Sequence, residues 1–151
     1  MLQMTPRRDR QEDVVLFAGS RAGFEHGSAQ FRAILDRHPL QPGTRYRCEL
    51  VFEEIVSNII RHGYADDNQE HRISVTVAVE GDRVELHFED DGVAFDPRQP
   101  VPPREVPTDT DYGGRGLVLL RSVAERIDYE RTSQQRNHLR VTVAAGSNSP
   151  R

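Results

Sequence analysis

Residues 50–64 read LVFEEIVSNIIRHGY, and their periodicity predicts the central helix of the fold. Apolar residues recur at about 100° intervals and share one side of that helix, namely Val51, Phe52, Ile55, Val56 and Ile59. Glu54 and Asn58 stand four residues apart, one turn above the other, along the edge of this stripe. Polar groups at the rim of a core usually have partners. Taken alone, the pair is either a solvated edge, with Asn58 capping a neighbouring group, or part of a site.

The rest of the chain alternates between helical and strand patterns around this helix. A hairpin is predicted over 72–92, because apolar residues alternate on both sides of a Gly81-Asp82 turn. The remaining predicted elements are a strand over 13–20, helices over 21–39, 44–62 (ended by Gly63 at the C′ position) and 115–129, and a final strand pair over 128–146. The third helix would present Leu117, Leu120, Val123, Ala124 and Ile127 on one face.

The order of these elements predicts an α+β fold. Four or five strands and three helices favour a two-layer sandwich, with a mixed, mainly antiparallel sheet and the helices on one of its faces. The stretch 93–114, called the lid below, holds five of the nine prolines and no periodicity. Long irregular loops in compact domains are often binding loops. We expect a single domain over 13–146, with flexible tails at 1–12 and 147–151.

Composition excludes several classes of protein. All 20 basic residues are arginine, so the phosphate-binding lysine of P-loop nucleotidases and lysine Schiff-base chemistry are excluded. A net charge of −4 without a basic stripe argues against nucleic acid as a direct partner. Cys48 is the only cysteine. No membrane span or signal peptide is recognisable, and a cytoplasmic location is expected.

Two further motifs each allow a structural and a functional interpretation. FEDDGVAFDP (88–97) could present a carboxylate into a pocket, with Gly92 allowing close approach of a flat ligand, or could be an ordinary strand-ending turn. YGGRGLVLLR (112–121) runs glycines into a helix, which is either an anion site or a flexible hinge. It is not the dinucleotide fingerprint, because G-x-G-x-x-G is absent.

In this order and spacing, the three motifs together resemble the GHKL ATPase superfamily, which includes the ATPase domains of gyrase and histidine kinases. EEIVSNIIRHGY, DDGVAFDP and GGRGLVLLRSVAERIDY look most like the bacterial anti-sigma-factor serine/threonine kinases. The resemblance covers about residues 13–144. It implies that ATP and Mg²⁺ are the cofactors and that the lid closes over the nucleotide.

The resemblance assigns the first motif to the phosphate end of the pocket. The family's Mg²⁺-binding asparagine falls on Asn58, and its catalytic carboxylate falls on Glu54, which would accept the proton of an attacking hydroxyl. Glu53 lies about 100° further round the helix and is the weaker candidate. His62 is expected to cap the helix rather than to contact substrate.

The other two motifs supply the remaining nucleotide contacts of the family. Asp90 falls on the aspartate that reads the adenine amino group, Gly92 would lie against the ring, and Asp96 could order the lid. The lid end supplies Gly114, Arg115, Gly116 and Leu117, of which the two glycines would donate backbone N–H groups to phosphates. The chain departs from the pattern at Asn137–Leu139, where some relatives carry Gly-Thr-Thr. The auxiliary adenine contact of those relatives is therefore not carried over.

The resemblance implies a kinase that phosphorylates a STAS-type anti-anti-sigma protein and sequesters a sigma factor. Such a protein would regulate transcription under stress, and a homodimer is expected. Only 49 residues precede the motif helix, so we expect a stand-alone domain without a phosphoacceptor hairpin. The alternatives are an ATP-binding module that switches partners without phosphotransfer, and a histidine-kinase-like subunit. The presence of both Glu54 and Asn58 favours the enzyme.

Overall fold

The computed structural model describes residues 2, 9–64, 70–98 and 112–143, without the side chains of 112–117. Within these ranges the chain forms a five-stranded sheet and three α-helices, which confirms the predicted α+β class. The strands are β1 (Gln11–Ala18), β2 (Arg72–Glu80), β3 (Arg83–Asp90), β4 (Ala124–Arg131) and β5 (Asn137–Val143). The helices are α1 (Arg21–Asp36), α2 (Pro42–Asn58) and α3 (Tyr112–Val123).

The sheet has the order β1-β2-β3-β5-β4, and every pairing between these strands is antiparallel. Its inner face is apolar and is formed by Val15, Phe17, Ile73, Val75, Val77, Val79, Val84, Leu86, Phe88, Leu139, Val141 and Val143. Phe52 of α2 lies at the centre of the core, where its ring stacks on that of Phe31 with centroids 4.4 Å apart. Burial of this face fixes α2, and with it the first motif, against the ends of β3 and β5.

The predicted β2–β3 hairpin is confirmed, and its turn also supports α2. Gly81 has φ of +60°, a conformation that favours glycine and is typical of a tight hairpin turn. The carboxylate of Asp82 accepts hydrogen bonds from the backbone N–H of Gln41 at 2.8 Å and from the Thr44 hydroxyl at 2.7 Å. The hairpin turn therefore provides the N-terminal cap of α2, which begins at Pro42 rather than at the predicted residue 44.

The C-terminal end of α2 differs from the prediction. The α-helix ends at Asn58 and continues as a π-helical turn over Ile59–Gly63, so Gly63 does not act as a left-handed C′ residue. Among the described glycines, only Gly81 has a positive φ. The wider turn carries the Gly63 carbonyl to the β3 end, where it accepts a hydrogen bond from Val93 N at 2.6 Å. Such turns are frequent at functional sites.

The predicted helix over 115–129 was wrong at both ends. The helix begins at Tyr112 and ends at Val123, and β4 starts at the next residue. Residues after 123 fit both periods, because Ile127 continues the helical stripe while Ile127 and Tyr129 also alternate with Asp128 and Glu130. Pairing of β4 along the length of β5 supplies a ladder of backbone hydrogen bonds, which outweighs the local helical preference.

Some predicted features fall at the limits of the described structure. β1 begins at Gln11, two residues before the predicted strand, while 147–151 and most of 1–12 lie outside the described residues. The same holds for 99–111, which is most of the lid. Each described helix is too short or too polar to cross a membrane.

Candidate functional site

A cleft opens between the end of α2 and the ends of β3 and β5. It is lined by Ile55, Asn58, Ile59, Gly63, Phe88, Asp90, Val93, Phe95, Pro97, Tyr129, Asn137 and Leu139. Its walls are largely apolar, with a few polar groups, which is the usual composition of a small-molecule site. The cleft brings together Asn58 and Asp90, from the first two sequence motifs, 32 residues apart in the chain.

Asp90 is the last residue of β3 and is only 3% exposed. Its Oδ1 accepts hydrogen bonds from the backbone N–H of Gly92 at 2.8 Å and from Asn137 Nδ2 at 3.0 Å. Burial raises the pKa of Asp90 above its ordinary value, and these two hydrogen bonds oppose the rise. A carboxylate held in this way is suited to accept a hydrogen bond from an amino group of a bound ligand.

Gly92 lies directly against the backbone of the π-helical turn. A Cβ atom on Gly92 would stand 2.3 Å from the carbonyl oxygen of Gly63 and 2.9 Å from Oδ1 of Asp90. Any larger residue would therefore push the β3 end away from α2. The sequence singled out this glycine for close approach of a ligand, and the structure adds close approach of the protein's own backbone.

Asn58 is 5% exposed, and its Nδ2 has no hydrogen-bond partner within the described part of the chain. A buried polar atom without a partner costs about 1–3 kcal/mol, so such atoms call for an explanation. The amide also lines the cleft. Nδ2 is a donor and is therefore placed to serve an acceptor on a ligand, such as a phosphate oxygen. The oxygen of the same amide is an ordinary Mg²⁺ ligand, and it is the chemistry of this oxygen that fits a magnesium-binding role.

Glu54 is half-buried on α2, one turn before Asn58, and is not among the residues that line the cleft around Asp90. Burial raises the pKa of Glu54, the neighbouring Glu53 raises it further, and Arg61 opposes the rise. A raised pKa brings a carboxylate closer to the range in which a general base works best. Glu53 is exposed.

Asp96 is not among the residues that line the cleft, and its carboxylate pairs with Arg98 in the same loop. Its carboxylate accepts from Arg98 through Nε at 3.0 Å, Nη2 at 2.8 Å and the backbone N–H at 2.9 Å. The next residue, Pro97, lines the cleft, and its carbonyl accepts a hydrogen bond from Arg121 of α3 at 3.0 Å. These contacts join Asp96 to Arg98 and connect Pro97 to α3.

The third motif forms the beginning of α3. Gly114 and Arg115 fall among the first four residues of the helix, whose N–H groups have no intrahelical acceptor. Gly116 is the fifth residue, so the helix begins earlier relative to the glycines than the sequence predicted. The side chains of Arg115 and Leu117 lie outside the described residues. His62 is exposed, with its ring 6.5 Å from that of Phe95.

Sequence reasoning missed the part that Asn137, Tyr129 and Arg131 play in the site. Asn137 is 5% exposed and donates from Nδ2 to Asp90, while its Oδ1 accepts from the Tyr129 hydroxyl and from Arg131 Nη1. Arg131 Nη1 also donates to the Gly92 carbonyl at 2.7 Å. The available signal was the departure at Asn137 from the Gly-Thr-Thr pattern of the family resemblance, which puts a polar amide at this position.

Comparisons with known proteins agree with this architecture. A family model described as the histidine kinase-like ATPase domain matches residues 27–143. The chain is 31% identical over 100 residues to the serine/threonine-protein kinase BtrW of Bordetella bronchiseptica, which covers 65% of this chain and 69% of that protein. It also resembles the crystal structure of the RsbU and RsbW domains of Rv1364c from Mycobacterium tuberculosis, with a TM-score of 0.63. That likeness, at 16% identity, covers 93% of this chain and 34% of the other, so the chain spans about a third of that protein and shares its fold.

Proposed function

This chain belongs to the histidine kinase-like ATPase family, and we propose that it is an ATP-dependent serine/threonine protein kinase that acts as an anti-sigma factor. The observation that carries the proposal is the cleft in which a buried aspartate, Asp90, and a buried asparagine with an unpartnered nitrogen, Asn58, meet. The resemblance to a protein named as a serine/threonine kinase supports the reaction class.

In this proposal the nucleotide base enters the apolar cleft and its phosphates extend towards Asn58. Asp90 accepts a hydrogen bond from the amino group of adenine, while Val93 and Leu139 offer apolar contacts to the ring. The phosphates pass Asn58 at the end of α2 and reach the beginning of α3, where the first backbone N–H groups of the helix favour anions. When bound, Mg²⁺ supplies neutralisation of phosphate charge, and Asn58 is the residue that would hold it.

Glu54 is the proposed general base of the transfer step. The hydroxyl oxygen of a serine or threonine on the partner forms a bond to the γ-phosphorus as the bond from that phosphorus to the β–γ bridging oxygen breaks. The hydroxyl proton passes to Glu54, and ADP leaves with the electron pair of the broken bond. The position of Glu54, one turn from Asn58 on a rigid helix, supports this role.

The proposed protein partners are a STAS-type anti-anti-sigma protein, which receives the phosphoryl group, and a sigma factor. Phosphorylation would release the first and favour binding of the second, so the protein would regulate transcription in the cytoplasm under stress. A homodimer is part of the proposal. These partners rest on the family resemblance and on the similarity to BtrW and to the RsbW domain fold.

A binding module without phosphotransfer is the second candidate, favoured by one observation. Glu54 is not among the side chains that line the cleft, so a nucleotide could bind there without contacting this proposed general base. In that case the protein would exchange partners according to the nucleotide bound.

Transfer of labelled γ-phosphate to a candidate STAS protein, measured beside ATP binding, separates the two functions. We expect Glu54→Gln to lose about 10²–10⁴-fold in transfer rate and to keep ATP affinity, because a general base acts on the rate rather than on ground-state binding. Glu53→Gln removes an adjacent exposed carboxylate whose charge raises the pKa of Glu54; it is the control and should change the transfer rate far less than Glu54→Gln. Wild-type protein that binds ATP and its partner but transfers no phosphate would refute the kinase and leave the binding module.

A further inference from the structure

Asn137, at the start of β5, is hydrogen-bonded through both ends of its amide. Nδ2 donates to Oδ1 of Asp90 at 3.0 Å and to the carbonyl of Val93 at 2.9 Å. Oδ1 accepts from the Tyr129 hydroxyl, from Arg131 Nη1 at 3.2 Å and from the backbone N–H of Phe95 at 3.4 Å. The side chain therefore connects the β3 end to β4 directly beneath the cleft.

The surroundings determine which end of the amide faces Asp90. Tyr129 and Arg131 present donors, so the amide oxygen must face them, and the NH₂ group must face the acceptors on Asp90 and Val93. The reverse orientation would place oxygen against oxygen at Asp90 and N–H against N–H at Arg131. Asp90 and Asn137 are both buried and Tyr129 is half-buried, so two oxygens facing each other between Asn137 and Asp90 would be costly.

The orientation of Asn137 in turn determines what Asp90 can recognise. Asn137 and Gly92 both donate to Oδ1 of Asp90, which leaves Oδ2 as the oxygen through which the carboxylate can meet a ligand. Burial raises the pKa of Asp90, and the two donors on Oδ1 oppose that rise by stabilising the ionised form. The ionised carboxylate can only accept, so a ligand that meets it must bring a donor to this position.

We propose that Asn137 is a positioning residue that makes the cleft selective for 6-amino purine nucleotides over 6-oxo purine nucleotides. This inference rests on the proposed function, since it concerns the same nucleotide site. A 6-amino group donates to Oδ2 of Asp90, whereas a 6-oxo group would place two acceptors face to face in a buried site. A site built around a buried polar group rejects the analogue that cannot pair with it.

The test compares the dissociation constants of ATP and ITP, both with Mg²⁺, by calorimetry for wild type and variants. ITP differs from ATP in the 6-oxo group and its ring tautomer. We expect wild type to prefer ATP, and Asn137→Leu to lower that preference about tenfold, because Asp90 would then be free to rotate or to take up a proton. Thr142→Val, a buried polar residue of β5 on the opposite face of the sheet, is the matched control and should leave the ratio unchanged.

A second variant covers the possibility that Asn137→Leu does not fold. Tyr129→Phe removes one hydroxyl donor from the Asn137 oxygen and leaves the rest of the side chain in place. Tyr129→Phe should also lower the preference for ATP over ITP, by a smaller factor than Asn137→Leu. If either variant folds and weakens ATP and ITP equally, Asn137 is only structural and the inference is wrong.

The outcomes for wild type separate this inference from the proposed function. Equal affinity for ATP and ITP, with phosphate transfer intact, overturns the inference and leaves the kinase. If wild type prefers ATP, Asn137→Leu loses that preference and wild type transfers no phosphate, the inference is supported and the kinase proposal is wrong. Wild type that binds neither nucleotide overturns both.

Discussion

Asn58 lines the cleft, and its buried amide lowers the stability of the folded protein. Its buried Nδ2 has no partner within the described residues, which costs about 1–3 kcal/mol relative to a paired group. A residue retained only for packing would be better as leucine, which has the same branching and number of side-chain heavy atoms and no polar group to leave unpaired. Stability and ligand binding therefore make opposite demands at this position.

We predict that Asn58→Leu separates these demands. Without nucleotide, its free energy of unfolding in urea should be equal to or up to about 1 kcal/mol above that of wild type, because the unpaired amide is gone. Its ATP affinity in Mg²⁺ should fall to the value that wild type shows in EDTA. The EDTA measurement is the control, and a variant that still binds ATP more tightly with Mg²⁺ than without would exclude Asn58 as the metal ligand.

The residue that the sequence singled out and the one it missed differ in how their partners are arranged. Asn58 was singled out with Glu54, which stands four residues away on the same helix, and the family resemblance then assigned its role. Asn137 could not, because its partner Asp90 is 47 residues away and the two meet only when β3 and β5 pair.

At the scale of elements, α2 is held at its beginning by another element. Gln41, which precedes the helix, makes no side-chain capping bond, and Asp82 of the β2–β3 turn accepts from the Gln41 N–H and the Thr44 hydroxyl instead. The helix that carries Glu54 and Asn58 is therefore tied to the hairpin that carries Asp90.

Asp82→Ala should lower the free energy of unfolding by about 0.5–2 kcal/mol, the usual effect of losing an N-terminal cap. Urea denaturation monitored by circular dichroism measures it. Glu125→Ala removes an acid whose ion pair with Arg83 is exposed, with an N–O distance of 3.1 Å, and should cost less than about 1 kcal/mol. Equal effects of the two variants would show that Asp82 does not cap α2.

At the scale of the whole molecule, the outer face of the sheet carries a buried pair of histidines. His87 of β3 and His138 of β5 are 4% and 7% exposed, and His87 Nδ1 lies 2.7 Å from His138 Nε2. Glu85 lies 2.6 Å from the other nitrogen of His87 and also pairs with Arg10. Burial, and then the nearby His87, lower the pKa of His138 below its ordinary value of 6.5.

This shift predicts how global stability depends on pH. Below pH 6.5 the unfolded chain binds a proton at His138 while the folded chain does not, so the free energy of unfolding falls as pH falls, by at most about 1.4 kcal/mol per pH unit. The loss levels off below the pKa of the folded state. Urea unfolding between pH 7.5 and 5.5 should show a smaller decline for His138→Gln than for wild type, with pH 8 as the reference. A parallel decline in both proteins would contradict the prediction.

The sequence by itself determined the parts of this protein that depend on neighbours within a few residues. The stripe and polar edge of α2 and the alternation of β2 and β3 around Gly81 were enough for the α+β class. Asn58 and Asp90 were assigned to one site by the family resemblance that the three motifs carry, and both line the cleft. Only the tertiary structure decided that the chain becomes strand after Val123, because the hydrogen bonds to β5 outweigh a local preference that fits both periods. It likewise decided that Asn137 orients Asp90, since side chains distant in sequence become partners only through strand pairing.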